Sequence, residues 1–333
     1  MSKIKPSKGA PYARIMGVGG YRPVRVVPNE VILETIDSSD EWIRSRSGIA
    51  TRHWASPEET VAAMSVEAAG KAIADAGITP GQIGAVIVST VSHFKQTPAI
   101  ATEIADRIGA GRPAAFDISA ACAGFVYGLT LAKGMIVEGS AEHVLVIGVE
   151  RLSDLTDLAD RATAFLFGDG AGAVVVGPSK EPEIGPTVWG SEGDKSDTIR
   201  QTVPWDDFHA GSQEKFPAIT QEGQAVFRWA VFEMAKVAQQ ALDAAGITPQ
   251  DLDVFIPHQA NMRIIDSMVK TLKLPDSVTV ARDVETTGNT SAASIPLAME
   301  RILATGQAKS GDTALVIGFG AGLVYAATVV TLP

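Results

Sequence analysis

Cysteine is almost absent from this chain: one residue, Cys122, in 333. A single cysteine excludes an intrachain disulfide framework. The N-terminus (MSKIKPSKGAPYAR) also lacks the apolar stretch of a secretory signal, so a reducing cytoplasm is the expected location. Basic residues are in deficit, 28 Lys and Arg against 38 Asp and Glu. A net charge of −10 argues against a general nucleic-acid or anionic-membrane binder, although a local basic patch can still steer an acidic partner. No His/Cys spacing suits a metal site, so no metal is expected. Two strings, GVGGY at Gly17 and GFGAG at Gly318, look like dinucleotide loops but lack the helix and acidic ribose partner, so no nicotinamide cofactor is expected. Charge is missing altogether from residues 313–333, a length that could cross a bilayer. That run is broken by Gly318, Gly320 and Gly322, and its halves TALVIG and LVYAATVV are β-branched, which predicts two buried strands and no membrane span.

What the chain does have is a repeat. With 46% hydrophobic residues it can bury a sizeable core, and AIADAGITPGQIGAVIVS around Gly77 recurs 169 residues later as ALDAAGITPQDLDVFIPH around Gly246. Each copy reads as an amphipathic helix stopped by glycine, a Thr-Pro turn, a short polar segment and an apolar strand, which is an αβ unit of a mostly parallel sheet. HVLVIG ending at Gly148 and TALVIG ending at Gly318 keep nearly the same offset, and each leads to a glycine-rich hairpin and a further strand. The prediction is an α/β protein of two similar halves, residues 1–180 carrying the cysteine and residues 181–333 carrying a histidine and an asparagine. Between them, roughly over residues 181–223, lies a polar excursion with Trp189, Trp205 and His209, a candidate lid.

Three residues form the candidate catalytic set. Cys122 sits in DISAACAGFVYGLTLAKGMIVEG, where a strand turns through small residues into a helix apolar on nearly every face. A cysteine at such a helix start faces unpaired N–H groups and the positive end of the macrodipole, which predicts a thiolate nucleophile. His258 follows a predicted strand in VFIPHQANMRII, and Asn289 follows a turn in TTGNTSAASIPLAMERIL. By the repeat offset His258 stands where Ser89 stands in the first half, and Asn289 falls just before the counterpart of Cys122. A pseudo-twofold axis would make these strand-to-helix junctions converge.

PHQAN, GNTSAAS, DEWIRSRSGI and FGDGAG together resemble the β-ketoacyl-(acyl carrier protein) synthases III, the initiating condensing enzymes of dissociated fatty-acid synthesis, over essentially the whole chain. The resemblance implies a thiolase-like five-layered αβαβα fold with mixed sheets. It implies a homodimer that condenses an acyl-coenzyme A primer, acetyl or short branched, with malonyl-(acyl carrier protein), without a cofactor. Cys122 would carry the acyl group, and His258 with Asn289 would hold the malonyl thioester during loss of carbon dioxide. Two neutral donors aimed at a thioester oxygen suit an enolate independently of the family. The resemblance further implies an oxyanion hole from the backbone of Cys122 and Ala321, and a coenzyme A grip from Ser38, Trp42, Arg46 and Arg161. It places Arg228, Arg263 and Lys270 in carrier-protein docking, and Thr97 with Phe319 in the acyl pocket, Thr97 reaching into the partner subunit's pocket.

Relatives with other chemistry are weighed by their missing parts. A degradative thiolase needs a second cysteine, an elongating synthase a histidine at Asn289, and a hydroxymethylglutaryl synthase a carboxylate within residues 118–132; none is present. A starter-unit synthase or acyltransferase of a polyketide pathway remains the alternative, since plant-type polyketide synthases share the Cys-His-Asn set.

Overall fold

The computed structural model describes residues 4–333. Helix α1 (Val61–Asp75) forms because its alanines, valines and isoleucine share one face, and the Thr60 hydroxyl caps it by accepting from the Ala63 N–H. It ends before Gly77, whose φ of 67° needs a residue without Cβ. After it, the Thr79 N–H donates to Gln82 Oε1 (2.9 Å), which sets the turn into β2 (Ala85–Ser89). The sheet of this half also holds β1 (Tyr12–Tyr21), β3 (Ala114–Ile118), β4 (Val144–Arg151) and β5 (Asp169–Ser179), with α2 (Ile100–Arg107) and α3 (Gly124–Glu138) packed on it; a separate ribbon pairs Arg25–Pro28 with Thr51–Trp54, and short helices Asn29–Leu33 and Asp40–Ser47 lie between its strands.

The second half repeats this device by device. It contains β6 (Val188–Ser191), α4 (Gly223–Ala245), β7 (Val254–Pro257), α5 (Met262–Leu272), β8 (Thr279–Val280), α6 (Ser294–Ala304), β9 (Thr313–Gly320) and β10 (Val324–Thr331). Helix α4 stops at Gly246 with φ 73°, and the Thr248 N–H donates to Asp251 Oδ2 (2.8 Å). The two sheets run β1-β5-β4-β2-β3 and β6-β10-β9-β7-β8, the same order. In both, three strands are parallel and two antiparallel: β2 pairs in parallel with β3 and β4, and β7 with β8 and β9. The uncharged terminal run is thus the antiparallel pair β9 and β10.

Helices α3 and α6 lie between the sheets in one core, α1 and α2 cover the outer face of the first sheet, and α4 and α5 that of the second. This is the five-layered αβαβα arrangement. The segment Ala121–Glu138, α3 with the turn before it, has length and hydropathy enough to cross a membrane, but α3 lies between the two large sheets, and that accounts for its near-uniform apolarity. The GVGGY string is explained by packing: a Cβ at Gly17 or Gly19 would stand 2.4 or 2.3 Å from backbone atoms of α1 or the residue after it.

Candidate active site

Strand β3 turns into α3 through Ala121–Ala123, and Ala121 adopts a left-handed conformation (φ 43°) that a non-glycine residue rarely takes. The turn holds Cys122 against the end of β9. A Cβ at Gly318 would lie 2.8 Å from the Cys122 carbonyl, and one at Gly320 would lie 2.9 Å from Cys122 Sγ. The GFGAG glycines are therefore the flat surface that accepts the cysteine turn, and Ala321 follows them into the wall of the same cleft. Burial pushes the thiol up to about 12, contact with the Ser291 hydroxyl offsets it in part, and the charge of Glu150 adds to the rise. Cys122 is only partly buried and stands at a helix start, whose dipole works against that rise.

His258 ends β7 with its N–H donating to the Ile317 carbonyl (2.7 Å). Its ring stands edge-on to Phe319 (centroids 5.3 Å apart), and Nδ1 lies 2.7 Å from Ser294 Oγ. If Nδ1 donated, the buried Ser294 proton would lack an acceptor among the described residues. The serine therefore donates to Nδ1, and the ring proton sits on Nε2. Burial lowers the imidazole to about 3, so it is neutral. Asn289 is held by its own backbone, which bridges to Phe167: its N–H donates to the Leu166 carbonyl (2.8 Å) and its carbonyl accepts from the Gly168 N–H (3.0 Å). Its Oδ1 accepts from the Ser291 N–H (2.9 Å), which leaves the amide NH₂ free to donate.

Cys122, His258, Asn289, Phe319 and Ala321 line one cleft of about 690 Å³. The excursion supplies part of its wall through Ile199, Gln201, Trp205 and Ile219. Trp189 instead belongs to β6 and packs on Tyr127. Outside the cleft lining, Trp42 is flanked by Arg161 and Arg46, whose guanidinium carbons lie 5.0 and 5.8 Å from its ring centroid. Nearby in sequence, Ser38 has a buried hydroxyl with no hydrogen-bond partner. Arg228, Arg263 and Lys270 are exposed on the packed pair α4 and α5 and take part in no ion pair among the described residues. Val226, Trp229 and Ile264, beside them in sequence, line the cleft. Thr97 is exposed and absent from the lining of the chain's own cleft.

Sequence reasoning passed over Ser291, Ser294 and Glu150. The two serines lay inside the GNTSAAS motif, while Glu150 showed as a lone carboxylate ending the apolar run HVLVIGVE. The Gln and Asn of PHQAN prove to be braces. Gln259 Nε2 donates to the Pro257 and Ala281 carbonyls (2.7 and 3.2 Å), and Asn261 caps α5 while donating to the Arg46 carbonyl (2.9 Å).

Residues 116–193 match the family described as 3-Oxoacyl-[acyl-carrier-protein (ACP)] synthase III, and residues 242–332 match the description of its C-terminal part. The chain is 86% identical, over the full length of both proteins, to the Beta-ketoacyl-[acyl-carrier-protein] synthase III of Streptomyces glaucescens. It is 84% identical, again over all of both, to the synthase III 1 of Streptomyces coelicolor. Among solved structures, the priming β-ketosynthase of the R1128 polyketide biosynthetic pathway superposes with a TM-score of 0.97 at 45% identity, covering 100% of this chain and 99% of that one. The 3-oxoacyl-(acyl carrier protein) synthase III of Pseudomonas aeruginosa PAO1 superposes with 0.88 at 35% identity, covering 97% and 98%.

Proposed function

Because this chain belongs to the 3-oxoacyl-(acyl carrier protein) synthase III family, we propose that its cleft carries out a two-stage condensation on Cys122. The protein is a condensing acyltransferase that joins an acyl-coenzyme A primer to malonyl-(acyl carrier protein) and so initiates fatty-acid synthesis. In the first stage Cys122 attacks the primer thioester, coenzyme A leaves, and the acyl group rests on sulfur. In the second, the His258 Nε2–H and the Asn289 NH₂ donate to the malonyl thioester oxygen as carbon dioxide departs, and the resulting carbanion attacks acyl-Cys122. Backbone N–H groups of Cys122 and Ala321 hold the oxyanion of that attack. The observation that carries this reading is that Ser294 occupies His258 Nδ1 and the Ser291 N–H occupies Asn289 Oδ1. Each side chain is left with its donor for the cleft that holds the cysteine.

The arginine-flanked Trp42 supports a nucleotide grip, tryptophan stacking on adenine while Arg46 and Arg161 reach phosphates and Ser38 adds a hydroxyl. The unpaired cations Arg228, Arg263 and Lys270 support docking of an acidic carrier protein. A homodimer belongs to the same reading. Strand β3 is a sheet edge with partly exposed residues, and exposed Thr97 is free to close the partner subunit's acyl pocket behind that subunit's Phe319. Single-cysteine usage supports a cytoplasmic location. A second reading, priming of a polyketide chain, is favoured by the likeness to the R1128 enzyme and uses the same chemistry. The test is mass spectrometry of the protein after acyl-coenzyme A, then after malonyl-(acyl carrier protein), with products identified. One acyl adduct on Cys122, absent from Cys122→Ser and discharged as 3-oxoacyl product, is the expected result. An adduct that persists in Cys122→Ser overturns it.

A further inference from the structure

Arg52 stands on the ribbon strand Thr51–Trp54 and is fully buried, yet among the described residues its guanidinium meets no carboxylate directly. Burial lowers it to about 10, so it stays charged at neutral pH. A buried charge is costly unless hydrogen bonds compensate it, and the groups that do so here belong to two separate parts of the molecule. Nη1 donates to the Val27 carbonyl (3.2 Å). Nη2 donates both to Asn29 Oδ1 (2.7 Å) and to the Phe165 carbonyl (2.8 Å), so one nitrogen starts two arms.

The first arm runs to the helix Asp40–Ser47, which presents Trp42 and Arg46. Asn29 is fully buried, and its Nδ2 donates to Asp40 Oδ1 (2.7 Å) at the start of that helix and to the Ile49 carbonyl (2.9 Å) just beyond its end. Both ends of the helix are thus tied to one amide. The second arm runs to Asn289. The Phe165 ring stands edge-on to Trp42 (centroids 5.5 Å apart), and the residues after it grip the Asn289 backbone through the Leu166 carbonyl and the Gly168 N–H. That segment joins no sheet before Asp169 except through the bridge of Phe167 to Asn289, so its place depends on anchors such as Arg52. The stem of Arg52 packs under the same grip: a Cβ at Gly288 would lie 2.9 Å from Arg52 Cβ, and one at Gly168 3.3 Å. The chain around Arg52 also holds the turn before Asn289. The Ala50 N–H donates to the Glu285 carbonyl (2.7 Å), and Thr51 Oγ1 donates to the Thr286 carbonyl (2.9 Å).

We propose that Arg52 is a positioning residue for both stages of the reaction, its guanidinium setting the Trp42 helix and the Asn289 backbone in one fixed relation. This rests on the roles proposed above for Trp42 and Asn289. Arg52, Asn29 and Phe165 do not line the cleft, so the effect is carried wholly through the residues they hold. The geometry also says what Arg52 does not control. None of its hydrogen bonds reaches the Cys122 turn, which rests on Gly318 and Gly320 of β9. Loss of the guanidinium should therefore loosen the nucleotide grip and misplace the Asn289 amide, while the nucleophile keeps its place.

The test separates the arms by measuring three quantities: the Michaelis constant for acyl-coenzyme A, the rate of Cys122 acylation at saturating acyl-coenzyme A, and carbon dioxide release from malonyl-(acyl carrier protein). Arg52→Met should raise the Michaelis constant several-fold and slow carbon dioxide release by at least about 10-fold, with saturated acylation near wild type. Arg52→Lys, which keeps the charge and part of the donor set, should fall between Arg52→Met and wild type. Asp40→Ala cuts only the first arm, at a partly exposed carboxylate, and should raise the Michaelis constant while leaving carbon dioxide release unchanged. In an Asn289→Ala background, Arg52→Lys and Arg52→Met should slow carbon dioxide release no further, because the group they position is gone. An equal loss in all three quantities marks a general folding defect and overturns the proposal. So does a further fall in the Asn289→Ala background, or an unchanged Michaelis constant in both Asp40→Ala and Arg52→Lys. If Asn289→Ala alone releases carbon dioxide at the wild-type rate, the underlying reading falls and takes this one with it. If Asn289→Ala is impaired while the Arg52 variants match wild type, the positioning role alone falls.

Discussion

The two strand-to-helix turns at the centre of the molecule invite comparison residue by residue. Ala121 and Ser291, 170 positions apart, are both left-handed (φ 43° and 47°), and both open a short 3₁₀ turn into a central helix. Each turn rests on a glycine of the other half: Gly318 of β9 beneath the Cys122 carbonyl, Gly148 of β4 beneath the Ala292 carbonyl. Behind the turns the halves diverge. In the first, Ser89 faces Gly124, where a Cβ would stand 1.8 Å from the serine hydroxyl; in the second, His258 faces Ser294. One scaffold occurs twice, with Cys122 in one copy and Ala292 at the matching position of the other, whose neighbourhood holds an imidazole and an amide. On the proposed mechanism, a duplicated fold assigns acyl storage to one turn and decarboxylation to the other within one cleft.

The comparison breaks most decisively if the second half proves dispensable for decarboxylation. The double variant His258→Ala, Asn289→Ala is expected to acylate Cys122 while carbon dioxide release from malonyl-(acyl carrier protein) falls by at least about 10²–10³-fold. Release at a near wild-type rate would remove the division of labour. The supporting glycines come next. Gly320→Ala presses a methyl on the sulfur, so acylation should slow by up to about 10²-fold through misplacement of the nucleophile. Gly148→Ala drives a methyl to 2.1 Å from the Ala292 carbonyl, on the side of the turn that does not carry the sulfur. That variant should show its defect in thermal unfolding, with a cost of about 1–3 kcal/mol. If the two glycines gave the same balance of rate and stability defects, the functional asymmetry of the turns would be wrong. The smallest effect belongs to the exposed ridge on α4 and α5. Charge reversal at Arg228, Arg263 or Lys270 should raise the Michaelis constant for malonyl-(acyl carrier protein) several-fold, steeply with falling salt, and leave acylation by acyl-coenzyme A nearly intact.

Much of this was legible in the chain because it is written in local pattern. The repeat at 169 to 170 residues is copied down to the Thr-Pro turns after Gly77 and Gly246, and glycine stops, caps and alternating strands are short-range properties that survive reading one residue at a time. Cys122, His258 and Asn289 were singled out because each stands before or after a junction that the repeat aligns, and the fold brings all three to one cleft. The tertiary structure decided what depends on approach between distant segments. It showed GFGAG to be the bed of the cysteine turn, FGDG to be the clamp on the Asn289 backbone, and Ser294 to be the hydroxyl that fixes the histidine proton. It also set burial against the helix-start dipole at Cys122. A helix start is visible in sequence, but the partial burial that raises the thiol comes from side chains and strands contributed from the whole length of the chain, and it exists only once the two halves have packed together.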